Sequence, residues 1–335
     1  MAESSDALLQ CRGLTRTYRT RWWRPTFTAV DSVDLDVPEG SAFALVGPNG
    51  AGKTTLMLMA TGLMRPTSGT ATIEGHAAST SKARRNVGFV PEKFQLPAQL
   101  RGSDFLKLHA SIAGIHGADQ VTRIGEVAEH VDLTDRLDDR VGAYSKGMQQ
   151  RMAIAQALLA KPRVLVLDEP TSALDPLQRK LLRDTLRRVH ADGCTIVLNS
   201  HNLAEVEDLC DHVAILEDGR IVASGALRDM VERTTRVRVR VRGWTSELEA
   251  TLTERVKIDA IHHDDADTTI TASIKDEDAA AWIAHQVVSS GAWLFELAPS
   301  GEGLEDLFVR TITGSHATGA ATPPAAPATE PEVDA

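Results

Sequence analysis

The segment Gly47-Pro48-Asn49-Gly50-Ala51-Gly52-Lys53-Thr54-Thr55 decides the fold of this chain. It matches the pattern G-x-x-x-x-G-K-[ST], a glycine-rich loop that binds phosphate through converging backbone N–H groups. Residues 42–46 before it are apolar and predict a buried strand, and residues 56–60 after it predict a helix. The strand, loop and helix that the motif requires are therefore all present. We expect Lys53 to neutralise the β- and γ-phosphates of a bound nucleotide and the Thr54 hydroxyl to contact Mg²⁺.

A second motif supplies paired carboxylates. The apolar residues 164–167 predict a strand, and Asp168 and Glu169 follow it directly. An acid at the carboxyl end of a strand beside a phosphate loop can hold Mg²⁺. The next side chain points elsewhere, because side chains alternate along a strand, and it is free to polarise a water molecule. The alternative is a strand that simply ends in two solvated acids.

Composition limits the classes of function. The chain has 335 residues and a net charge of −10, and this acidic balance argues against a nucleic-acid partner. Cys11, Cys194 and Cys210 lie far apart and predict reduced thiols in a cytoplasmic protein. The N-terminus is polar, no apolar run is long enough to cross a bilayer, and any role at a membrane is expected to act through a partner.

The run Tyr144-Ser145-Lys146-Gly147-Met148, followed by an apolar helix, resembles the signature of the ATPase subunits of ABC transporters. The family sequence is Leu-Ser-Gly-Gly-Gln. Ser145 and Gly147, which in the family contact the γ-phosphate of ATP, are retained. Lys146 and Met148 depart from the family residues but occupy the same nucleotide-binding positions. The local alternative is a helix N-terminus capped by Ser145, a geometry that is compatible with phosphate binding.

The resemblance implies roles for four further residues. Asp175 in Ser172-Ala173-Leu174-Asp175-Pro176 corresponds to the D-loop, which crosses the interface between two subunits. His201 corresponds to the switch histidine, which contacts the γ-phosphate. Glu92 stands where the family has a glutamine that contacts Mg²⁺ and water. Tyr18 corresponds to the aromatic residue that stacks on adenine, although a core tyrosine at a strand end, before the basic and aromatic residues 19–25, is the alternative.

The predicted fold is an α/β P-loop NTPase of ABC type, followed by a small ferredoxin-like α+β domain. Residues 7–225 are expected to form the ATP-binding domain, with a mixed sheet core, an antiparallel β subdomain and a helical subdomain at about 93–143. Residues 226–313 predict the order βαββαβ. Residues 314–335 lack aromatic residues, are rich in Ala, Pro and Thr, and predict a disordered tail.

Two patterns in the C-terminal unit have alternatives. Arginines alternate with valines from Arg236 to Arg242, which predicts an exposed sheet face or a charged edge strand rather than a nucleic-acid site. His262, His263, Asp264 and Asp265 predict a solvated turn, with a metal site as the alternative.

The resemblance implies an ATP hydrolase that powers an ABC transporter, with Glu169 and His201 as its catalytic residues and ATP and Mg²⁺ as its cofactors. We expect two copies to pair head to tail, with ATP between the phosphate loop of one and the signature of the other. The dimer is expected on the inner face of the cell membrane, bound to a separately encoded permease that exports an unidentified substrate. The alternative class is a soluble ABC-type ATPase that remodels nucleic acid or ribosomes.

Overall fold

The computed structural model describes residues 7–18, 26–172, 174–230, 235–264, 266–274, 277–300 and 303–318. The basic and aromatic segment at 19–25, Ala173 of the predicted D-loop and residues 319–335 lie outside the described residues.

The described strands form three sheets. In chain order they are β1 (Ala7–Tyr18), β2 (Phe27–Pro38), β3 (Ala42–Val46), β4 (Ser68–Ile73), β5 (His76–Ala77), β6 (Val87–Val90), β7 (Val164–Asp168), β8 (Thr195–Asn199), β9 (His212–Glu217), β10 (Arg220–Ala226), β11 (Thr235–Arg242), β12 (Lys257–Asp264), β13 (Asp267–Ile274) and β14 (Trp293–Pro299).

The described helices join and cover these sheets. In chain order they are α1 (Lys53–Ala60), α2 (Ser81–Arg84), α3 (Gly102–Ile112), α4 (Gly117–His130), α5 (Lys146–Leu158), α6 (Pro176–Ala191), α7 (Leu203–Leu209), α8 (Leu227–Met230), α9 (Ser246–Thr253), α10 (Glu277–Ser289) and α11 (Leu304–Thr318).

A six-stranded sheet in the order β10-β9-β3-β8-β7-β6 forms the centre of the fold. All neighbours in it are parallel except β10, which runs antiparallel to β9. Every residue of β3, β7 and β8 is buried, which is the pattern of parallel strands covered on both faces. Because their carboxyl ends share one edge, the segments that follow β3, β6, β7 and β8 meet there.

The predicted subdomains around this sheet are confirmed. The strands β2-β1-β4-β5 form an antiparallel sheet that shares a core with the phosphate-loop side of the central sheet. The helical subdomain begins with α3 at Gly102, later than the predicted residue 93. Its apolar residues, among them Phe105, Leu106 and Val127, join the core on the other side of the central sheet.

The C-terminal unit has the predicted βαββαβ order. Its strands are antiparallel in the order β12-β13-β11-β14, and α9 and α10 cover one face over a separate apolar core. The valines of β11 are buried in this core and its arginines lie on the opposite face. β11 is an inner strand, so the exposed-face alternative holds and the edge-strand alternative is wrong.

The prediction of a turn is wrong for His262, His263 and Asp264, which belong to β12 and pair with β13. Asp265, the last residue of the predicted turn, lies outside the described residues. Among the described residues, no group of His, Cys, Asp and Glu side chains has an arrangement that could hold a metal by itself.

The packing also differs from the predicted domain limits. α8 lies beyond residue 225 but contacts β9 and β10, and its Leu227 belongs to the core of the central sheet. α11 continues to Thr318, past the predicted start of the tail at residue 314. Its first turns bury Leu304 and Leu307 in the same core, and a helix that has been nucleated extends at little cost.

Candidate functional site

The phosphate loop lies between β3 and α1 and requires glycine at two positions. A Cβ on Gly47 would lie 2.2 Å from the carbonyl oxygen of Leu216, and one on Gly52 would lie 2.1 Å from that of Ala29. Gly52 also has a φ of 101°, which L side chains rarely adopt. Gly52 is the N-cap residue of α1, and no described side chain forms a capping hydrogen bond there. The first amides of α1 are therefore available to an anion.

Lys53 places its charge inside this loop. Its side chain is buried, and Nζ donates hydrogen bonds to the carbonyl oxygens of Gly47 at 2.7 Å and Pro48 at 3.0 Å. Burial lowers the pKa of the Lys53 ammonium group, and the negative charges of Glu169 and Asp168 partly oppose this shift. The ammonium group is thus positioned at the phosphate loop beside two carboxylates.

Thr54, Asp168 and Asn199 form a group of oxygen donors at the edge of the sheet. The Thr54 hydroxyl donates to Asp168 Oδ2 at 2.9 Å, and the Asn199 amide donates to Asp168 Oδ1. The amide oxygen of Asn199 is buried and has no hydrogen-bond partner among the described residues. Hydroxyl, carboxylate and carbonyl oxygens are the ligands that Mg²⁺ prefers, commonly together with substrate phosphates. The residues present therefore fit Mg²⁺ bound jointly with a nucleotide.

Glu169 and His201 form a hydrogen-bonded pair. His201 Nδ1 lies 2.7 Å from Glu169 Oε2, and the side-chain exposed fractions are 61% and 12% respectively. Glu169 has a φ of 48°, an uncommon conformation for a residue with a side chain. Its backbone N–H donates to the carbonyl oxygen of Asn199 at 2.9 Å. From this conformation the Glu169 carboxylate contacts His201, in the segment after β8.

The signature residues lie at the start of α5. Ser145 caps this helix, its Oγ accepting a hydrogen bond from the Met148 N–H at 3.2 Å. Gly147 lies against Gln178, whose side-chain oxygen would be 2.1 Å from a Cβ at that position. Asp175 caps α6 by accepting from the Gln178 N–H at 2.8 Å. Gln178 therefore joins the predicted D-loop to the predicted signature within one chain.

Glu92 follows β6 and faces a cavity of about 580 Å³. Lys146, Glu169 and Ser172 also line this cavity. The structure thus brings Glu92 together with the predicted catalytic carboxylate and one signature residue, as expected for segments at one edge of a parallel sheet.

Tyr18 ends β1 opposite Phe27. Its hydroxyl donates to the sulfur of Met64 at 3.4 Å, and the Arg16 guanidinium lies 4.8 Å from the ring centroid. The side chain is half-buried. These contacts are those of a tyrosine at a strand end, and adenine stacking stays a prediction.

Sequence reasoning assigned no role to two residues that organise this site, Asn199 and Gln178. Asn199 ends an apolar strand beside β7, so a polar side chain next to Asp168 was a usable signal. Gln178 gives no such signal, because it is one of several polar residues on an amphipathic helix and its contact with Gly147 depends on tertiary packing.

Comparisons with known proteins agree with this geometry. A sequence profile described as ABC transporter matches residues 30–172. The uncharacterized ABC transporter ATP-binding protein YdbJ of Bacillus subtilis is 34% identical over 86% of this chain and 91% of its own length. The Nod factor export ATP-binding protein I of Cupriavidus metallidurans is 35% identical over 68% of this chain and 73% of its own length. A dimeric post-hydrolysis structure of an ATP-binding cassette bound to ADP and Pi superposes with a TM-score of 0.59 and 26% identity, over 66% of this chain and 99% of that chain.

Proposed function

We propose that this chain, which belongs to the ABC transporter family, works as a head-to-tail homodimer in an export system. It is an ATP-binding subunit that hydrolyses ATP to drive transport through a separate permease. Proteins of this family dimerise and act with transmembrane partners. The head-to-tail arrangement, the direction of transport, the Mg²⁺ requirement and the residue roles below belong to the proposal. A relative named for export supports the direction.

The observation that carries the proposal is the Glu169–His201 pair beside the Asp168–Thr54 contact, at the edge where the phosphate loop leaves β3. Phosphoryl transfer to water depends mainly on positioning and on neutralising charge. The backbone amides of the loop and Lys53 would hold the β- and γ-phosphates. Glu169 would accept a hydrogen bond from the attacking water, and His201 would fix the orientation of that carboxylate and contact the γ-phosphate.

Thr54 and Asp168 would hold Mg²⁺ with the phosphates, and Asn199 would fix the orientation of the Asp168 carboxylate. When bound, Mg²⁺ supplies positive charge that stabilises the phosphate oxygens. Glu92, which lines the same cavity as Glu169, would accept a hydrogen bond from water or contact Mg²⁺. Tyr18 would contact the adenine ring.

The signature would bind the ATP of the partner copy. Ser145 and Lys146 are exposed, so their polar groups are accessible to a second chain. The N-terminus of α5 adds partial positive charge there. Lys146, Gly147 and Met148 would line the phosphates of the partner's nucleotide, and Asp175 would hold the D-loop at the interface. ATP bound by both chains would close the dimer, and hydrolysis would release it.

The described residues include no helix with the length and apolar character needed to cross a membrane. We place the working protein on the inner face of the cell membrane through its permease. The alternative of nucleic-acid or ribosome remodelling has no specific observation in its favour. YdbJ, which this chain matches over 91% of the length of YdbJ, is named as an ABC transporter ATP-binding protein.

Affinity purification of the full chain from detergent-solubilised membranes of its native host tests this proposal. We expect a polytopic membrane protein to copurify with two copies of the chain. This partner should change the rate at which the chain hydrolyses ATP. The matched control is the Lys53→Ala chain, whose hydrolysis should not respond to the same partner. Recovery of ribosomes or nucleic acid in place of a membrane protein would contradict the proposal.

A further inference from the structure

α11 follows the C-terminal unit in sequence but packs against the ATP-binding core. Leu304 is 0% exposed and Leu307 is 8% exposed, and both belong to the same apolar cluster as Val206 of α7. Phe308 and Ile312, one and two turns further along, pack against that cluster as well. One face of α11 is thus buried against the core that carries the catalytic segments.

The start of α11 is joined to α7 by a polar contact. The Leu304 N–H donates a hydrogen bond to the Glu207 carboxylate, which satisfies one of the free amides at the start of the helix. A Cβ at Gly303 would lie 3.0 Å from Glu207 Oε1, so the backbone approaches the carboxylate closely. Glu207 therefore fixes where α11 begins relative to α7.

α7 in turn lies directly after the switch histidine. It has seven residues and starts at Leu203, with Asn202 as its cap. A helix this short is not stable by itself in water and depends on tertiary packing. Val206 is fully buried and contributes to that packing. The cover that α11 provides is consequently part of what holds α7, and with it the backbone leading to His201.

A cavity of about 360 Å³ connects the two features. His201, Asn202 and Glu305 line it together with Thr171 and Ser172, the residues that follow the catalytic carboxylate segment. Glu305, in the first turn of α11, therefore lies at the same cavity as the switch histidine.

We propose that α11 braces α7 and thereby positions His201 for hydrolysis, with Leu304 and Glu207 as the positioning residues. This inference rests on the catalytic role of His201 given in the proposed function. Because α11 follows the C-terminal unit in sequence, the contact between α11 and α7 links that unit to the rate of ATP hydrolysis. Neither Leu304 nor Glu207 belongs to the proposed nucleotide site, so we expect their effect to be on the catalytic rate rather than on ATP affinity.

Steady-state kinetics of the purified full chain tests the brace. Leu304→Ala and Glu207→Ala are each expected to lower kcat about tenfold, with the KM for ATP within about twofold of the wild type. Glu207→Gln retains a side-chain oxygen that can accept the Leu304 N–H bond, so its kcat should return to near the wild-type value. Glu254→Ala, which removes an exposed carboxylate at the end of α9, is the matched control and should leave kcat unchanged.

A second measurement separates positioning from general loss of stability. In the His201→Ala background, adding Glu207→Ala should cause no further loss of kcat, because the group that it positions is already absent. Hydrogen exchange of amides 203–209 should accelerate in Leu304→Ala, while that of α3 stays unchanged. Either of two results would overturn the proposed role of α11. One is a loss of kcat from Glu207→Ala that adds fully to the loss from His201→Ala, and the other is an unchanged kcat in both Leu304→Ala and Glu207→Ala. An inactive wild-type chain, or an unaffected His201→Ala variant, would instead contradict the proposed function.

Discussion

The imidazole Nδ1 of His201 lies 2.7 Å from Oε2 of Glu169, although 32 residues separate them in sequence. The contact exists because β7 and β8 are parallel neighbours that end at the same edge of the sheet. Glu169 reaches it from a left-handed backbone conformation with a φ of 48°. Such strain persists only where the surroundings fix it, and here the Glu169 N–H is bonded to the carbonyl oxygen of Asn199. The fold thus places a carboxylate and an imidazole together without a local sequence motif that joins them.

Removal of the Lys53 ammonium group should weaken ATP binding. Nζ lies at the phosphate loop within 3.0 Å of two of its carbonyl oxygens, where it can form charge-assisted bonds to phosphate. Loss of such bonds predicts a rise in Kd of roughly tenfold to a hundredfold for Lys53→Ala, measured by isothermal titration calorimetry. The exposed Lys82 is the matched control, and Lys82→Ala should bind as the wild type does. An unchanged Kd for Lys53→Ala would exclude the phosphate role.

The Asn199 amide should set the Mg²⁺ requirement. It donates to the Asp168 carboxylate, whose other oxygen accepts from Thr54. Asn199→Leu removes the partner that holds Asp168, so we expect the Mg²⁺ concentration for half-maximal ATPase activity to rise about tenfold. Nucleotide binding measured in EDTA serves as the internal control and should not change. If the Mg²⁺ dependence of Asn199→Leu matches the wild type, Asp168 and its neighbours do not hold the metal.

Two glycines of the phosphate loop offer a matched comparison. Gly50 and Gly52 both have positive φ, at 85° and 101°, but only a Cβ at Gly52 would meet backbone, the Ala29 carbonyl at 2.1 Å. A Cβ at Gly50 has no described atom within 4 Å. Gly52→Ala should therefore lower the melting temperature and abolish ATP binding, whereas Gly50→Ala carries only the conformational strain, of order 1 kcal/mol. Equal effects of the two variants, by thermal denaturation and calorimetry, would show that the loop does not have this packing.

The stability of the chain should depend on the protonation of His130. Its Nδ1 lies 2.7 Å from the Glu126 carbonyl oxygen and its Nε2 lies 2.6 Å from Asp192 Oδ2. These bonds, the backbone bond first, raise the pKa of the His130 imidazole above its usual 6.5. The contribution of protonated His130 to the free energy of unfolding is therefore complete below pH 6.5. It is lost as the pH rises through the higher pKa of His130 in the folded state.

Thermal denaturation of His130→Gln against pH checks this sign. The difference in melting temperature from the wild type should be largest below pH 6.5 and should shrink as the pH rises. Asp192→Asn should reduce the pH dependence only in part, because the bond to the Glu126 carbonyl remains. A difference that grows with rising pH would contradict the assignment.

Local sequence patterns sufficed for much of the fold and part of the site. Strands were predictable from the apolar runs of β3, β7 and β8 and from the alternating arginines of β11. The phosphate loop was predictable from the spacing of its glycines. The resemblance to ABC ATPases drew attention to His201, but its contact with Glu169 depends on strand order, which no local pattern gives.

Three features could not be predicted because tertiary packing decides them. The contact between Gln178 and Gly147 joins two helix starts that are distant in sequence. The return of α11 to the central core depends on Leu304 and Leu307, whose spacing predicts a helix but not the surface it packs against. The residues at 262–264 have polar side chains typical of turns, yet they pair with β13 because the neighbouring strand offers its free backbone groups.

The assembly state of Glu169→Gln with ATP and Mg²⁺ tests the central claim most directly, by sedimentation velocity. This substitution keeps the shape of the side chain but removes the charge that would polarise water, so ATP should remain bound between two chains. We predict a species of twice the 36.1 kDa chain mass with ATP and a single-chain species with ADP. Adding Ser145→Glu, which places negative charge at the signature, should restore the single-chain species with ATP. A Glu169→Gln chain that binds ATP and Mg²⁺ yet sediments as one chain would contradict the account.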